Sequence, residues 1–221
     1  MKYQKTIVDG NEVVYSADWI LDLESQAHFN YYWNQIVLVY KNCSRDEEIL
    51  EIGVGTSFLS DVLRRREFKI STLDIDPLKK PDYNANALEF DYSTNNFSSL
   101  LAFEIFEHIP FDTFQKVIHK VSDSDVTKII FSVPWAQYYF APLRIKLPRL
   151  PVFEPSIVIP RKNIGTPAHF WELTSSSRIA STKDKKLLMP MKELSKLFNS
   201  NGWSLNLCKR VGCIQFFIAS K

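Results

Sequence analysis

A short apolar run that ends in two glycines limits the fold of this chain more than any other feature. Residues 49–54 form a nearly continuous apolar segment, which is typical of a strand covered on both faces of a parallel sheet. Gly53 and Gly55 follow within EIGVGTS, and TSFLSDVLRRR then has helical periodicity with a Thr/Ser start suited to capping. Glycines between a strand and a helix let the backbone pass close to a ligand. The pattern predicts an α/β fold with a ligand site at this turn.

Strands and helices continue to alternate as far as residue 135. FKISTLD, SLLAFEIF and TKIIFSVP predict strands, and FDTFQKVIHKVS predicts a helix. Such alternation indicates βαβ units and a parallel sheet. Near the C-terminus, MKELSKLFNSNG predicts a helix ending at Gly202, and WSLNLCKRV and CIQFFIAS predict an antiparallel pair joined around Gly212. Residues 16–42 predict one or two amphipathic helices, with Trp19 and Leu23 on the apolar face.

Residues 136–186 interrupt the alternation. Six of the eleven prolines lie between Pro142 and Pro167. The segment is too apolar for a disordered linker and too rich in proline for a long helix, so we expect an ordered insertion or lid. We therefore expect one domain of four parts. These are an N-terminal helical cap (1–44), a ligand-binding half (45–135), the insertion (136–186), and a C-terminal helix with a hairpin (187–221).

The charge of the chain is divided unevenly. Residues 1–135 carry 13 Lys and Arg against 21 Asp and Glu, a net −8, whereas residues 136–221 carry 14 against 4, a net +10. The second half is either a solvated basic surface or a surface that faces an anionic substrate. No apolar stretch reaches the ~18–20 residues of a membrane span, and the first residues do not resemble a signal peptide. The three cysteines form no even framework, so we expect a cytoplasmic protein.

An acidic residue closes the second predicted strand. Asp74 lies 19 residues after Gly55, and an acid at about this distance suits a pair of ribose hydroxyls. A dinucleotide site would have the third glycine of GxGxxG, which is missing here. Glu51 within the turn would also repel a phosphate. A cationic ligand fits better, and S-adenosylmethionine carries both a sulfonium and an ammonium group.

Taken together, these motifs resemble those of class I S-adenosylmethionine-dependent methyltransferases. EIGVGTS resembles the family's ExGxGxS motif, TLDID its second strand, NANAL its adenine region, LLAFEIFEHIPF its fourth strand and IIFSVP its fifth. The resemblance covers residues 45–135 and 187–221. It implies a Rossmann-like, seven-stranded, mostly parallel sheet whose last two strands form an antiparallel hairpin.

The same resemblance implies a set of cofactor-binding residues. Asp74 would hold the ribose hydroxyls. Asn86 stands where the family often has Asp, and its amide oxygen can still accept a hydrogen bond from the adenine amino group. The implied set is Glu51, Gly53, Gly55, Ser57, Asp74, Ile75, Asn86, Ala87 and Glu104.

A second cluster of polar residues follows the fourth predicted strand, and three interpretations of it stay open. Some relatives, including small-RNA 2′-O-methyltransferases, have an ExxEH motif and a later HxFEW segment that bind a divalent cation. AHFWEL resembles that segment, which implies a metal site of Glu104, Glu107, His108 and His169. The second interpretation is catalysis, with His108 or His169 as general base beside Glu107. In the third, these residues only hold the loop, and Trp171 packs in the core.

The expected activity is methyl transfer to an oxygen of a small or glycan-like, anionic acceptor. The alternatives are a metal-dependent RNA methyltransferase and a non-catalytic binding module. The insertion supports an amphipathic or anionic acceptor through interleaved aromatic and basic residues: Trp135, Tyr138, Tyr139, Phe140, Arg144, Lys146, Arg149, Phe153, Arg161 and Lys162. The same mixture suits RNA, a membrane surface or a dimer contact, although a pI of about 8.3 is low for a nucleic-acid-binding protein. His28, Tyr31 and Tyr32 are expected either to cover the cofactor or to pack in the core.

Overall fold

The computed structural model describes residues 3–8, 11–16, 25–93, 96–140, 148, 157–164 and 166–221. The α-helices within these ranges are α1 (Gln26–Asn42), α2 (Phe58–Arg65), α3 (Phe111–Ser122) and α4 (Met191–Ser200). Two short 3-10 helices, Pro77–Lys79 and Phe106–His108, follow two of the strands. Among the described residues, none of the helices has both the length and the apolar character needed to cross a membrane.

A seven-stranded sheet runs through the centre of the described fold. Its strands in chain order are β3 (Glu48–Ile52), β4 (Lys69–Asp74), β5 (Tyr83–Asn84), β6 (Ser99–Phe103), β7 (Lys128–Pro134), β13 (Ser204–Val211) and β14 (Ile214–Ser220). The spatial order is β13-β14-β7-β6-β3-β4-β5. Strands β3 to β7 are parallel, whereas β14 is antiparallel to both β7 and β13. The predicted fold class is confirmed.

The central strands are apolar on both sides because the sheet is covered on both faces. Successive residues of a strand point to opposite faces. Accordingly, Leu50 and Leu100 join one buried cluster with α3 and α4, while Ile49 and Leu101 join a second with α1 and α2. The strand order reverses between β3 and β6, which leaves a crevice at their carboxyl ends.

The N-terminal region differs from the expected helical cap. Strands β1 (Tyr3–Val8) and β2 (Asn11–Ser16) form an antiparallel pair, and α1 is the helix that follows them within the described residues. The sequence Asp9–Gly10 between the strands is itself a hairpin signal, which outweighs a helical interpretation of this stretch. Trp19 and Leu23, which belong to the one or two amphipathic helices predicted over residues 16–42, lie outside the described residues.

The insertion contains short strands where the structure describes it. β8 (Gln137–Phe140) and β9 (Ile157–Pro160) form an antiparallel pair. A small three-stranded sheet consists of β10 (Trp171–Thr174), β11 (Ala180–Ser181) and β12 (Leu187–Pro190). The predicted insertion residues Arg144, Lys146, Arg149 and Phe153 lie outside the described residues. A lid role for the insertion, and a single methyltransferase domain for the whole chain, stay predictions.

Candidate functional site

A cavity opens at the carboxyl ends of β3, β4 and β6, where the strand order reverses. Eight of the nine predicted cofactor residues line it: Glu51, Gly53, Gly55, Asp74, Ile75, Asn86, Ala87 and Glu104. Ser57 is not in the lining, and Thr56 is. The expected helix cap is also wrong, because Ser57 has a φ of 63° and makes no capping hydrogen bond with its side chain.

The first glycine of the turn has no room for a side chain. Gly53 has a φ of 80°, which L-residues rarely adopt. A Cβ at this position would lie 2.0 Å from the Ile105 Cδ1 atom, and Ile105 itself lines the cavity. Gly55 also has a positive φ, of 55°, but a Cβ there would meet no atom within 4 Å. Gly53 therefore sets the close packing between β3 and the loop after β6.

We expect Gly53→Ala to destabilise the chain more than Gly55→Ala. Both substitutions pay the cost of a positive φ, about 1–2 kcal/mol, but only the first also displaces Ile105. Urea unfolding measures the two free energies of unfolding. If both variants lose the same free energy of unfolding, the contact with Ile105 does not contribute to stability.

Asp74 is fixed in place by three donors. Its Oδ2 atom accepts the backbone N–H of Val54 at 2.9 Å and the Lys79 ammonium at 3.2 Å. Its Oδ1 atom accepts the backbone N–H of Asp76, also at 2.9 Å. The carboxylate is only 6% exposed and lies in the cavity wall at the end of β4. These contacts hold an anion in one orientation, as binding to a hydroxyl pair requires.

Asn86 lies in the cavity wall with its oxygen already engaged. Its Oδ1 atom accepts the backbone N–H of Leu88 at 2.9 Å. An amide oxygen has two lone pairs, so one acceptor position is left for a ligand. The sequence could not reveal this local turn, which reduces what Asn86 can offer to an adenine ring.

Glu51 lies at the floor of the cavity and is only 5% exposed. Its Oε2 atom has no hydrogen-bond partner within the described part of the chain. Burial raises the pKa of this carboxyl from 4.5 to about 8. A cationic ligand in the cavity would stabilise the ionised form.

The raised pKa of Glu51 predicts a pH-dependent stability. The folded state binds the proton more tightly than the unfolded state, so this carboxyl lowers stability as pH rises from about 4.5 to about 8. We expect Glu51→Gln to be more stable than the natural chain at pH 8, by about 2–4 kcal/mol, and little different at pH 4.5. Urea unfolding without ligand at several pH values measures this. A difference that does not change with pH would contradict the raised pKa.

The second predicted cluster forms beside the cavity. Glu107, His108 and His169 bring one carboxylate oxygen and two ring nitrogens within 4.8 Å of one another, and we call them the acid–histidine cluster. The two imidazole rings meet edge to face with their centroids 4.8 Å apart. His108 lines the cavity, which places the cluster at its wall. Glu104 lines the cavity too but does not belong to the cluster.

Burial shifts the protonation of this cluster. The pKa of Glu107 is raised well above 4.5, first by burial and then by the nearby Glu104. Burial also raises the pKa of Glu104, to about 7. It lowers the pKa of His108 to about 3, with a further contribution from His169. Without a ligand, His108 is therefore neutral at neutral pH, and burial favours the protonated form of Glu107. The Oε2 atom of Glu107 is buried and has no hydrogen-bond partner among the described residues.

His169 is oriented by a buried ion pair. Its Nδ1 atom lies 2.9 Å from the Oε1 atom of Glu172, whose Oε2 atom accepts a hydrogen bond from Arg161 at 2.9 Å. Glu172 is 1% exposed. If Nδ1 carries the proton, Nε2 has the free lone pair that a base or a metal ligand needs.

The AHFWEL segment contributes a side chain to the core as well as His169 to the acid–histidine cluster. Trp171 is completely buried, stacks on Phe114 and donates its indole N–H to the Phe106 carbonyl at 3.0 Å. Phe170 donates its backbone N–H to the Glu107 carbonyl at 2.8 Å. The buried tryptophan thus holds His169 against Glu107 and His108.

The sequence did not predict Lys79 or Gln35 in the cavity wall, nor an orienting role for Glu172. A signal for Lys79 existed in DIDPLKK, where a lysine follows two aspartates after a turn-forming proline. His28, Tyr31 and Tyr32 on α1 also line the cavity, and the Tyr32 hydroxyl lies 3.3 Å from that of Thr56. Which of these residues contact a ligand stays a prediction.

Comparisons with known proteins identify the fold. No protein-family model matches the chain, and no curated protein sequence matches it significantly. Among solved structures, it is similar to the sugar N-methyltransferase KedS8 from a Streptoalloteichus species, with a TM-score of 0.57 and 10% identity over 100% of this chain and 98% of that one. It is also similar to magnesium protoporphyrin IX methyltransferase (ChlM) from Synechocystis PCC 6803 with bound SAM, with a TM-score of 0.56 and 10% identity over 94% of this chain and 86% of that one.

A third similar structure is an enzyme that acts on RNA. The small RNA methyltransferase HEN1 has a TM-score of 0.56 and 14% identity, over 87% of this chain and 25% of that one. The names of the three similar proteins refer to different substrates. They share their architecture with this chain. The chain has the fold of the class I S-adenosylmethionine-dependent methyltransferases.

Proposed function

We propose that this chain is an S-adenosylmethionine-dependent methyltransferase. The observation that carries the proposal is the position of the glycine turn and Asp74, which meet in one cavity at the point where the strand order reverses. The buried acids Glu51 and Glu104 give the cavity a preference for a cationic ligand. A neighbour of the same fold holds SAM, which supports the same cofactor here.

We propose an oxygen atom of a small or glycan-like acceptor as the methyl acceptor. Methylation of a hydroxyl requires a base that removes its proton as the methyl group transfers. His169 suits this role because Glu172 orients its ring. His108 suits it less, because a pKa of about 3 makes it a weak base. The net +10 charge of residues 136–221 favours an anionic acceptor.

A second candidate is a metal-dependent RNA methyltransferase. It is favoured by the unpartnered Oε2 atom of Glu107, which lies in a cluster that already has two imidazoles. Imidazole and carboxylate groups together suit Mn²⁺ or Zn²⁺, while Mg²⁺ prefers oxygen ligands. A neutral His108 is ready to coordinate, and Glu172 orients His169 as metal-bound histidines are usually oriented.

The residues present therefore fit a divalent cation. Glu107, His108 and His169 would hold it, whereas Glu104 lies outside the acid–histidine cluster. A bound cation would orient the acceptor hydroxyls and lower the pKa of one of them. Because burial raises the pKa of Glu107, a cation competes with a proton for this carboxyl, and we expect the affinity for the cation to rise with pH.

Labelled methyl transfer distinguishes these candidates. The chain is incubated with methyl-labelled S-adenosylmethionine and, in separate reactions, with glycan and small-metabolite extracts or with small RNA. We expect label in the glycan and small-metabolite reactions. Label only in RNA would replace the first candidate by the second. Cofactor binding without label in any acceptor would favour a non-catalytic binding module.

We also propose the cytoplasm as the site of action. Cys43, Cys208 and Cys213 are all free thiols in the structure. Free thiols persist in reducing compartments.

A further inference from the structure

The pair formed by β8 and β9 exposes an apolar surface. Tyr138 is 57% exposed, Ile157 59% and Ile159 49%. Tyr138 lies directly opposite Ile159 in the antiparallel register. Ile157 is two residues from Ile159, so all three side chains point to the same side of the pair. We call these three residues the apolar hairpin face.

One cation contacts this face, and a second follows it in the chain. The Arg161 guanidinium lies over the Tyr138 ring, 5.8 Å from its centroid. Lys162 follows and is exposed. In the sequence, residues 136–165 carry five Lys and Arg against one Glu, so their net charge is +4. An apolar surface within a basic segment is complementary to a layer that is anionic outside and apolar inside.

The face is continuous with the candidate active site. Arg161 contacts Tyr138 on the face and also donates to Glu172 at 2.9 Å. Glu172 in turn orients His169 in the acid–histidine cluster. Two side chains, Arg161 and Glu172, therefore link the apolar hairpin face to His169, one of the groups proposed to act on the acceptor.

We propose that the apolar hairpin face docks this chain on an anionic lipid bilayer surface. Tyr138 has the apolar ring and polar tip that suit the boundary between headgroups and acyl chains. Ile157 and Ile159 would enter the acyl region, and Lys162 would face the anionic headgroups. The docking is peripheral, and it would bring the acid–histidine cluster close to acceptors held at the surface.

The side chains favour lipid over RNA as the partner. Single-stranded RNA is bound mainly by aromatic side chains that stack on bases. The described face offers one aromatic ring, and this ring is already in contact with Arg161. Its two isoleucines offer branched aliphatic surface, which gains more from an acyl layer than from a base.

Vesicle co-sedimentation tests the proposal. The natural chain is mixed with vesicles of phosphatidylcholine alone and with vesicles of equal parts phosphatidylcholine and phosphatidylserine. We expect binding to the anionic vesicles that weakens at high salt. The double variant Ile157→Ser/Ile159→Ser should bind about tenfold more weakly or worse, since membrane affinity follows the apolar area buried. Lys162→Glu should also weaken binding to the anionic vesicles.

A matched control carries the same chemical change elsewhere. Ile179 is 53% exposed and Leu207 is 38% exposed, and both lie outside the apolar hairpin face. Ile179→Ser/Leu207→Ser should bind the anionic vesicles as the natural chain does. Circular dichroism confirms that both double variants fold. The proposal is overturned if the natural chain does not bind the vesicles, if both double variants bind equally, or if the face instead binds single-stranded RNA.

Discussion

Asp74→Ala is expected to lower the affinity for S-adenosylhomocysteine by ~100-fold or more. Two hydrogen bonds from ribose hydroxyls to a charged carboxylate contribute about 3 kcal/mol or more, which corresponds to that factor. The groups that contact this carboxylate, which are the Val54 and Asp76 backbone N–H and the Lys79 ammonium, are all donors and cannot accept from the ribose in its place. Calorimetric titration measures the affinity, and the fold should survive the change.

Asp82→Ala is the matched control for this variant. Asp82 also lies near β4, and its Oδ2 atom accepts bonds from Arg64 and from both the backbone N–H and the hydroxyl of Thr72. It does not line the cavity. We expect Asp82→Ala to lower stability while the affinity stays within a few-fold. An unchanged affinity in Asp74→Ala, or equal losses in the two variants, would remove Asp74 from the cofactor site.

Glu107→Gln is expected to abolish the binding of Mn²⁺ and to stabilise the metal-free chain. The amide oxygen of Gln is neutral, so the acid–histidine cluster would lose its one anionic ligand. The same substitution removes a carboxyl whose ionisation is opposed by burial. The free energy of unfolding of the variant should therefore exceed that of the natural chain by an amount that grows as pH rises above 4.5. Electron paramagnetic resonance of Mn²⁺ measures the first effect, and urea unfolding at pH 5 and pH 8 measures the second.

Glu104→Gln distinguishes the metal ligands implied by the ExxEH resemblance from those that the structure brings together. The ExxEH resemblance includes Glu104 among the metal ligands, whereas the acid–histidine cluster contains only Glu107, His108 and His169. We expect Glu104→Gln to weaken Mn²⁺ binding by less than about tenfold, through the loss of a nearby negative charge. If Glu104→Gln also abolishes binding, Glu104 is a ligand. If Glu107→Gln still binds Mn²⁺ fully, the second candidate function loses its basis.

The sheet could be predicted because its signals are local. Apolar runs such as residues 49–54, separated by helical segments, require strands that are covered on both faces, and the last two strands meet at Gly212. The N-terminal pair β1 and β2 was missed although Asp9–Gly10 indicates a hairpin. The predicted cap at the start of α2 was wrong, because the backbone of Ser57 is left-handed and its side chain makes no capping hydrogen bond.

The candidate site was predictable in residue type but not in arrangement. The spacing of Glu104, Glu107 and His108 places them after one strand, but Glu104 adopts a φ of 56° and the next residues form a 3-10 turn. This geometry separates Glu104 from the cluster. His169 joins the cluster because β10 packs beside β7, where Trp135 bridges Leu173. Such long-range packing has no local signal in the sequence.

Calorimetric titration of the natural chain with S-adenosylhomocysteine, with NAD titrated in parallel, tests the central proposal most directly. The cavity is lined by Asp74, which we propose to bind the ribose, and by the buried acids Glu51 and Glu104, and its turn has no third glycine. We therefore expect one-to-one binding of S-adenosylhomocysteine and no heat from NAD. Binding of NAD alone, or of neither compound, would contradict the assignment of this chain as an S-adenosylmethionine-dependent methyltransferase.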